Sequence, residues 1–192
     1  MSSDLSQVSG LFIDPRDKSI QLKALAMVVG TVVLALSSRI QVPMLPVPMT
    51  LQTLAVTLVG ALYGWRLGTA TVVAWLIEGA IGLPVFAAGA SGLPHLLGKT
   101  GGYLFSFPLV ALWVGWLCEK GWTGHRFFMA FMAMLLGNAL CLIVGGVWLA
   151  AFIGWEKAVA FGISPFLLGG LLKSVLGASL LKAVEGPARN AR

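Results

Sequence analysis

From Phe127 to Trp155 the chain runs without one charged residue. As a helix rising about 1.5 Å per residue, such a run exceeds the roughly 30 Å hydrocarbon core of a bilayer. A soluble domain has no interior that long and that uniformly apolar. The composition agrees: 58% of residues are hydrophobic and 10% charged, against about 25% charged in soluble domains. The chain is therefore expected to be an all-α integral membrane protein. Five further apolar runs lie at Ile20–Ser38, Thr50–Trp65, Leu67–Leu83, Gly101–Cys118 and Pro165–Leu181. Lys23 sits near enough to the start of the first to snorkel out to the interface. Six transmembrane helices are expected within a membrane domain over 22–182, with an N-terminal segment over 1–21 and a tail over 183–192.

Loop charges give the orientation. With the N-terminus inside, Arg16, Lys18, Lys23, Arg66, Lys120, Arg126, Lys182, Arg189 and Arg192 fall on the cytoplasmic side. Arg39, Lys99 and Lys157 fall outside. The positive-inside rule favours this arrangement, so both termini are expected to be cytoplasmic and the protein a multi-pass component of the cell (inner) membrane. The net charge of +6 is accounted for in the same way. Its Lys and Arg form no basic face interleaved with aromatic rings, which argues against nucleic-acid binding. Residues 1–19 carry Asp4, Asp14 and Asp17 and lack an apolar core, unlike a cleavable signal peptide. Cys118 and Cys141 each lie inside an apolar run and read as small buried residues.

Two outer connections are unusual. The stretch from Gly82 to Gly102 is rich in glycine and small residues, with Pro84 and Pro94, yet nearly uncharged. Pro43, Pro46 and Pro48 give the first outer connection a similar character. Irregular apolar backbone is tolerated near a bilayer only where it packs on protein or lines a cavity. Both loops are therefore expected to fold inward over the bundle as a lid or wall.

Lys173 is the sharpest chemical signal. It lies about 12 Å, or eight residues at 1.5 Å each, along the last apolar run. A charge at such depth costs about 2.5–3.5 kcal/mol even on lenient scales and usually faces a cavity or a partner. Three roles fit it: holding an anionic solute, pairing with Glu78, or snorkelling outward. Glu78 lies near the break made by Gly79, Gly82 and Pro84, and fits either a carboxylate at a helix end or the coupling group of an ion-driven carrier. Gly98-Lys99-Thr100 is not a phosphate loop, because position 93 is Leu where the pattern requires Gly. No ATP hydrolysis is expected from this chain. His95 and His125 have no metal-ligand spacing to each other or to cysteine, so neither a metal nor a cofactor is implied. No paired acids or nucleophile–base arrangement suggests an enzyme. Most tryptophans fall near helix ends, as interfacial belts require; Trp148 lies deeper. Ala26 and Gly30 form a small-xxx-small face that permits close helix contact.

Several segments resemble the signature stretches of the BioY biotin transporters, the substrate-binding (S) components of energy-coupling-factor transporters. They are Val47-Pro48-Met49-Thr50-Leu51-Gln52-Thr53, Gly82-Leu83-Pro84-Val85-Phe86, Gly98-Lys99-Thr100-Gly101-Gly102-Tyr103, Gly146-Val147-Trp148-Leu149 and Pro165 to Lys173. The resemblance runs in order over roughly residues 22–182. It implies a six-helix S-component fold and a biotin site near the outer face. It also implies a transmembrane coupling protein and two ATPase subunits as partners, with Ala26 and Gly30 matching the small residues that meet the coupling protein.

On that resemblance Lys173 holds a carboxylate, Gln52, Ser91 and Tyr103 line the polar end, and Phe86, Gly98 and Trp148 complete the pocket. The chain also departs from the family pattern. Lys99 stands where proline is usual, Gly170 where an acid is common, and Ala90 and Leu104 where polar residues occur in some members. Groups suited to a ureido ring are thus depleted, each lost partner costing about 1–3 kcal/mol. Two alternatives follow: another apolar carboxylate such as lipoate or a biotin precursor, and a stand-alone ion-coupled carrier.

Overall fold

A computed structural model describes residues 19–185. The expected cytoplasmic segment and tail fall almost wholly outside that range. Five helices in it are long and apolar enough to cross a membrane.

Helix α1 (Ile20–Arg39) starts where the Ser19 hydroxyl accepts from the Leu22 N–H. A short antiparallel ribbon follows, β1 (Gln41–Val42) with β2 (Met49–Thr50), pairing Gln41 with Thr50 and Val42 with Met49. Helix α2 (Gln52–Ala80) is broken at Gly64, whose φ of 74° and ψ of 170° lie outside the helical region. In a straight helix Gly60 and Gly68 would stand about 12 Å apart. Here a Cβ on Gly68 would come within 3.0 Å of the Gly60 Cα. The chain therefore doubles back at Gly64, and residues 52–63 and 65–80 pack as two arms. Glu119 accepts from the Trp65 N–H at 3.2 Å and closes the turn. The break expected at Arg66 thus falls two residues earlier, at the position whose backbone only glycine adopts easily.

The second outer loop holds a 3₁₀ turn (Ala87–Gly89) and a one-turn helix α3 (Leu93–Leu96). Helix α4 (Gly101–Glu119) comes into backbone contact with α2, Gly60 meeting Ala111 and Gly115 meeting Trp65. Small residues permit such close approach where lipid supplies no hydrophobic drive. Helix α5 (Phe127–Ile153) ends at Gly154, φ 81°.

Between Trp155 and Pro165 a loop is expected. The structure instead has a helical turn α6 (Trp155–Ala158), a π segment (Val159–Ile163) and α7 (Ser164–Glu185) in continuous succession. The Ser164 N–H donates to the Val159 carbonyl, five residues back, just before Pro165, which has no N–H to give. A shift of hydrogen-bond register absorbs the proline without a break.

The bundle is apolar on its outside as well as inside: Val28, Val32 and Leu36 on α1 and Leu168, Leu172 and Leu176 on α7 are exposed. In water this would be a large aggregation-prone patch; in a bilayer it is a matched surface. Ala26 and Gly30, by contrast, are buried. A side chain at Gly30 would strike Thr71 and Tyr63 of this same chain. The small face packs α1 onto α2.

Candidate functional site

The outer loops are stitched down onto the helices. Phe86 is wholly buried, set edge-on to Trp75 with ring centroids 5.2 Å apart and stacked on His95 at 5.4 Å. Arg39, at the end of α1, donates to the Pro84 carbonyl at 2.6 Å, and the Ser38 hydroxyl, which donates to the Ala35 carbonyl at 2.6 Å, lies 3.1 Å from the Phe86 carbonyl. The Trp148 indole N–H donates to the Gly98 carbonyl at 2.9 Å while its ring covers Gly101 and Gly102. Beneath these loops a cavity of about 60 Å³ runs between β2 and helices α2, α4, α5 and α7. It has room for a few water molecules, so a larger guest enters only if the loops yield.

Lys173 lies in the wall of this cavity. Its ammonium donates to the Thr50 carbonyl at 2.6 Å and to the Thr53 hydroxyl at 3.1 Å. Both partners are neutral, and an ammonium has three donors. Among the described residues the acid–base side-chain contact found is His125 with Glu185 at 3.9 Å, which joins the turn before α5 to the end of α7 at the opposite end of the bundle. The pairing of Lys173 with Glu78 is therefore not formed, and Glu78 does not line the cavity. Outward snorkelling is also excluded, since the ammonium is turned inward onto α2.

Gln52 lines the same cavity and is buried. Its Oε1 accepts from the Thr50 hydroxyl at 3.0 Å, while its Nε2 has no partner. Thr50 thus orients both groups, the lysine through its carbonyl and the glutamine through its hydroxyl. Tyr103 contributes a ring wall, seated on Gly145, and its hydroxyl donates to the Gly162 carbonyl at 2.7 Å instead of pointing to a guest.

The other four expected pocket residues do not line the cavity. Phe86, Gly98 and Trp148 hold the loops in place from behind, and Ser91 lies outside the wall. Sequence reasoning missed Thr50, Thr53, His95, Asn138 and Cys141, all of which do line it. His95 belongs to the outer loop, and burial lowers its basicity below the ordinary value. Phe107, Leu142 and Phe166 make much of the remaining surface apolar. The result is one cationic pole and a few amide and hydroxyl groups in a largely apolar chamber, suited to a small organic anion with an apolar body.

Residues 14–189 match the family described as BioY. The chain belongs to the BioY family. It is 32% identical over 169 residues to the probable biotin transporter BioY of Pyrococcus horikoshii, a match covering 88% of this chain and 97% of the relative. To the biotin transporter BioY of Thermotoga maritima it is 35% identical over 160 residues, covering 81% and 92%. The S-component for biotin from an ECF-type ABC transporter, a solved structure, resembles it with a TM-score of 0.75 at 24% identity, over 87% of this chain and 94% of that one. At that identity the likeness concerns the fold. The BioY relatives are transporters.

Proposed function

We propose that this BioY-family chain is the biotin-binding S component of an energy-coupling-factor transporter, taking biotin from the outer side of the cell membrane. Counting the arms of α2 separately gives six spans, with both termini on the cytoplasmic side. The observation that carries the reading is the Lys173 ammonium, turned into a mostly apolar cavity and met by two neutral oxygens. A carboxylate entering under the outer loops supplies the missing charge, and the free Nε2 of Gln52 is placed by Thr50 to donate to the same guest. The apolar walls accept the ring and the aliphatic chain. Energy for release inward comes from a transmembrane coupling protein and two ATPase subunits, in keeping with a sequence whose Gly98-Lys99-Thr100 departs from the phosphate-loop pattern.

Titration of biotin, dethiobiotin and lipoate into the purified full chain tests this. Biotin is expected to bind with a dissociation constant below about micromolar, roughly −8 kcal/mol. Lys173→Met is expected to weaken it by at least about 30-fold, because a charge left without its buried partner costs about 2 kcal/mol or more. Weaker wild-type binding removes biotin as the solute. Unchanged affinity in Lys173→Met removes the carboxylate anchor.

A further inference from the structure

Asn138 sits in the middle of α5, 5% exposed, with its side chain in the cavity wall. Its Nδ2 donates to the Met134 carbonyl at 3.0 Å and to the Ser174 hydroxyl at 3.1 Å. Ser174 passes its own hydrogen to the Gly170 carbonyl at 2.7 Å. The direction of this chain is fixed at both ends. A backbone carbonyl only accepts, and the single hydroxyl hydrogen of Ser174 is already committed. The carboxamide therefore cannot flip without losing both bonds, and its Oδ1 is held as an acceptor. Among the described residues nothing donates to that oxygen, and it is not among the polar atoms sealed without a partner inside protein.

Gly170 explains why the carboxamide stays uncovered. A Cβ at that position would stand 3.7 Å from the Asn138 Cβ, so the two residues face each other and α7 offers only hydrogen there. The cavity thus makes two demands of opposite kind. Lys173 asks for an anion, whereas an acceptor oxygen repels a carboxylate and asks for an N–H or O–H. A carboxylic acid lacking a second, donor-bearing group satisfies one demand and leaves the other unmet.

We infer that Asn138 determines the specificity of this site, its Oδ1 accepting a ureido N–H of the ligand and so selecting a ureido acid over an acid whose ring has no donor. The inference rests on the biotin reading above. It assigns to α5 the recognition that Ala90, Leu104 and Gly170 leave undone on the loop, α4 and α7.

The decisive measurement is the ratio of affinities for biotin and lipoate, with the full chain in detergent. Wild type is expected to favour biotin by tenfold or more, as sites built to hydrogen-bond a substrate reject analogues lacking the group. Asn138→Leu, of similar volume, is expected to weaken biotin by about tenfold or more while leaving lipoate unchanged. A purely structural role for Asn138 would weaken both ligands together, and that outcome overturns the inference. Where Asn138→Leu folds poorly, biotin methylated on its ureido nitrogens gives the same test on wild type. Loss of about tenfold or more supports the inference, and equal affinity overturns it. Wild type that binds biotin and lipoate equally also overturns it while the transporter reading stands. Wild type that binds no biotin overturns the transporter reading itself, and this inference with it.

Discussion

Phe86 lies so close on Gly79 that a methyl group on residue 79 would overlap its ring. Trp75 and His95 hold the ring from other sides, so it has nowhere to retreat. The Gly92 N–H also donates to the Gly79 carbonyl at 2.7 Å, tying a second point of the loop to the same residue. One glycine thus seats the outer loop. Gly79→Ala is expected to destabilise by about 1–3 kcal/mol, the usual cost of overpacking, and to loosen the loop before the bundle. Thermal unfolding and limited proteolysis within residues 82–100 report the two effects. Wild-type protease resistance together with an unchanged melting temperature would show that Phe86 is not pinned in this way.

The α2 reversal gives a second test. Gly64 combines a φ of 74° with a ψ of 170°, a conformation costing other residues about 1–3 kcal/mol. A side chain there would also collide with the Glu119 carboxylate that caps the turn. Gly64→Ala is expected to lower the melting temperature clearly. Arg66→Ala, two residues on, should stay within about 0.5 kcal/mol of wild type. Equal melting temperatures for wild type and Gly64→Ala would refute the reversal.

Gln52 poses stability against function. Its Nε2 is buried without a partner, a condition that costs about 1–3 kcal/mol. Gln52→Met keeps the volume and removes the orphan donor. The variant is expected to melt at the same temperature or higher and to bind biotin more weakly. A fall in both properties would mean that the amide is structural.

How much of this was legible in the sequence depended on whether a residue advertised itself by charge. Lys173 did, because a buried ammonium is too costly to be incidental, and its cavity is where the charge argument pointed. Arg66 marked the α2 turn only approximately: charge placed the loop, but the backbone requirement of Gly64 placed the bend. Asn138 and Thr53 are neutral residues within helices, and their meaning lies in which neighbour they face, a property of α5–α7 and α2–α7 packing. Phe86 and Trp148 were legible as important but not in role. The resemblance implies that these rings complete the pocket, whereas here Gly79 and Gly102 make room for them behind the loops. Ala26 and Gly30 show the same limit, since a small face says that something packs closely without saying what.

His95 makes the loop sensitive to acid. It stacks on Phe86 and lines the cavity whose cation is Lys173. Burial lowers its proton affinity below the ordinary pKa of 6.5. The folded state therefore prefers the neutral ring and takes up fewer protons than the unfolded chain in the window between the lowered value and 6.5. Where the unfolded state binds more protons, stability rises with pH. This contribution is then fully present above about pH 6.5 and declines as the solution is acidified through that window. A ligand carboxylate, with a pKa of about 4, remains ionised throughout and does not confound the effect. Biotin dissociation is expected to quicken as the pH is lowered below about 6.5, because the protonated ring disfavours its seat on Phe86. His95→Phe, which keeps the stacking surface and cannot take up a proton, should flatten that dependence. A wild-type rate that does not change over this range, or a His95→Phe rate that still does, would place the pH response elsewhere.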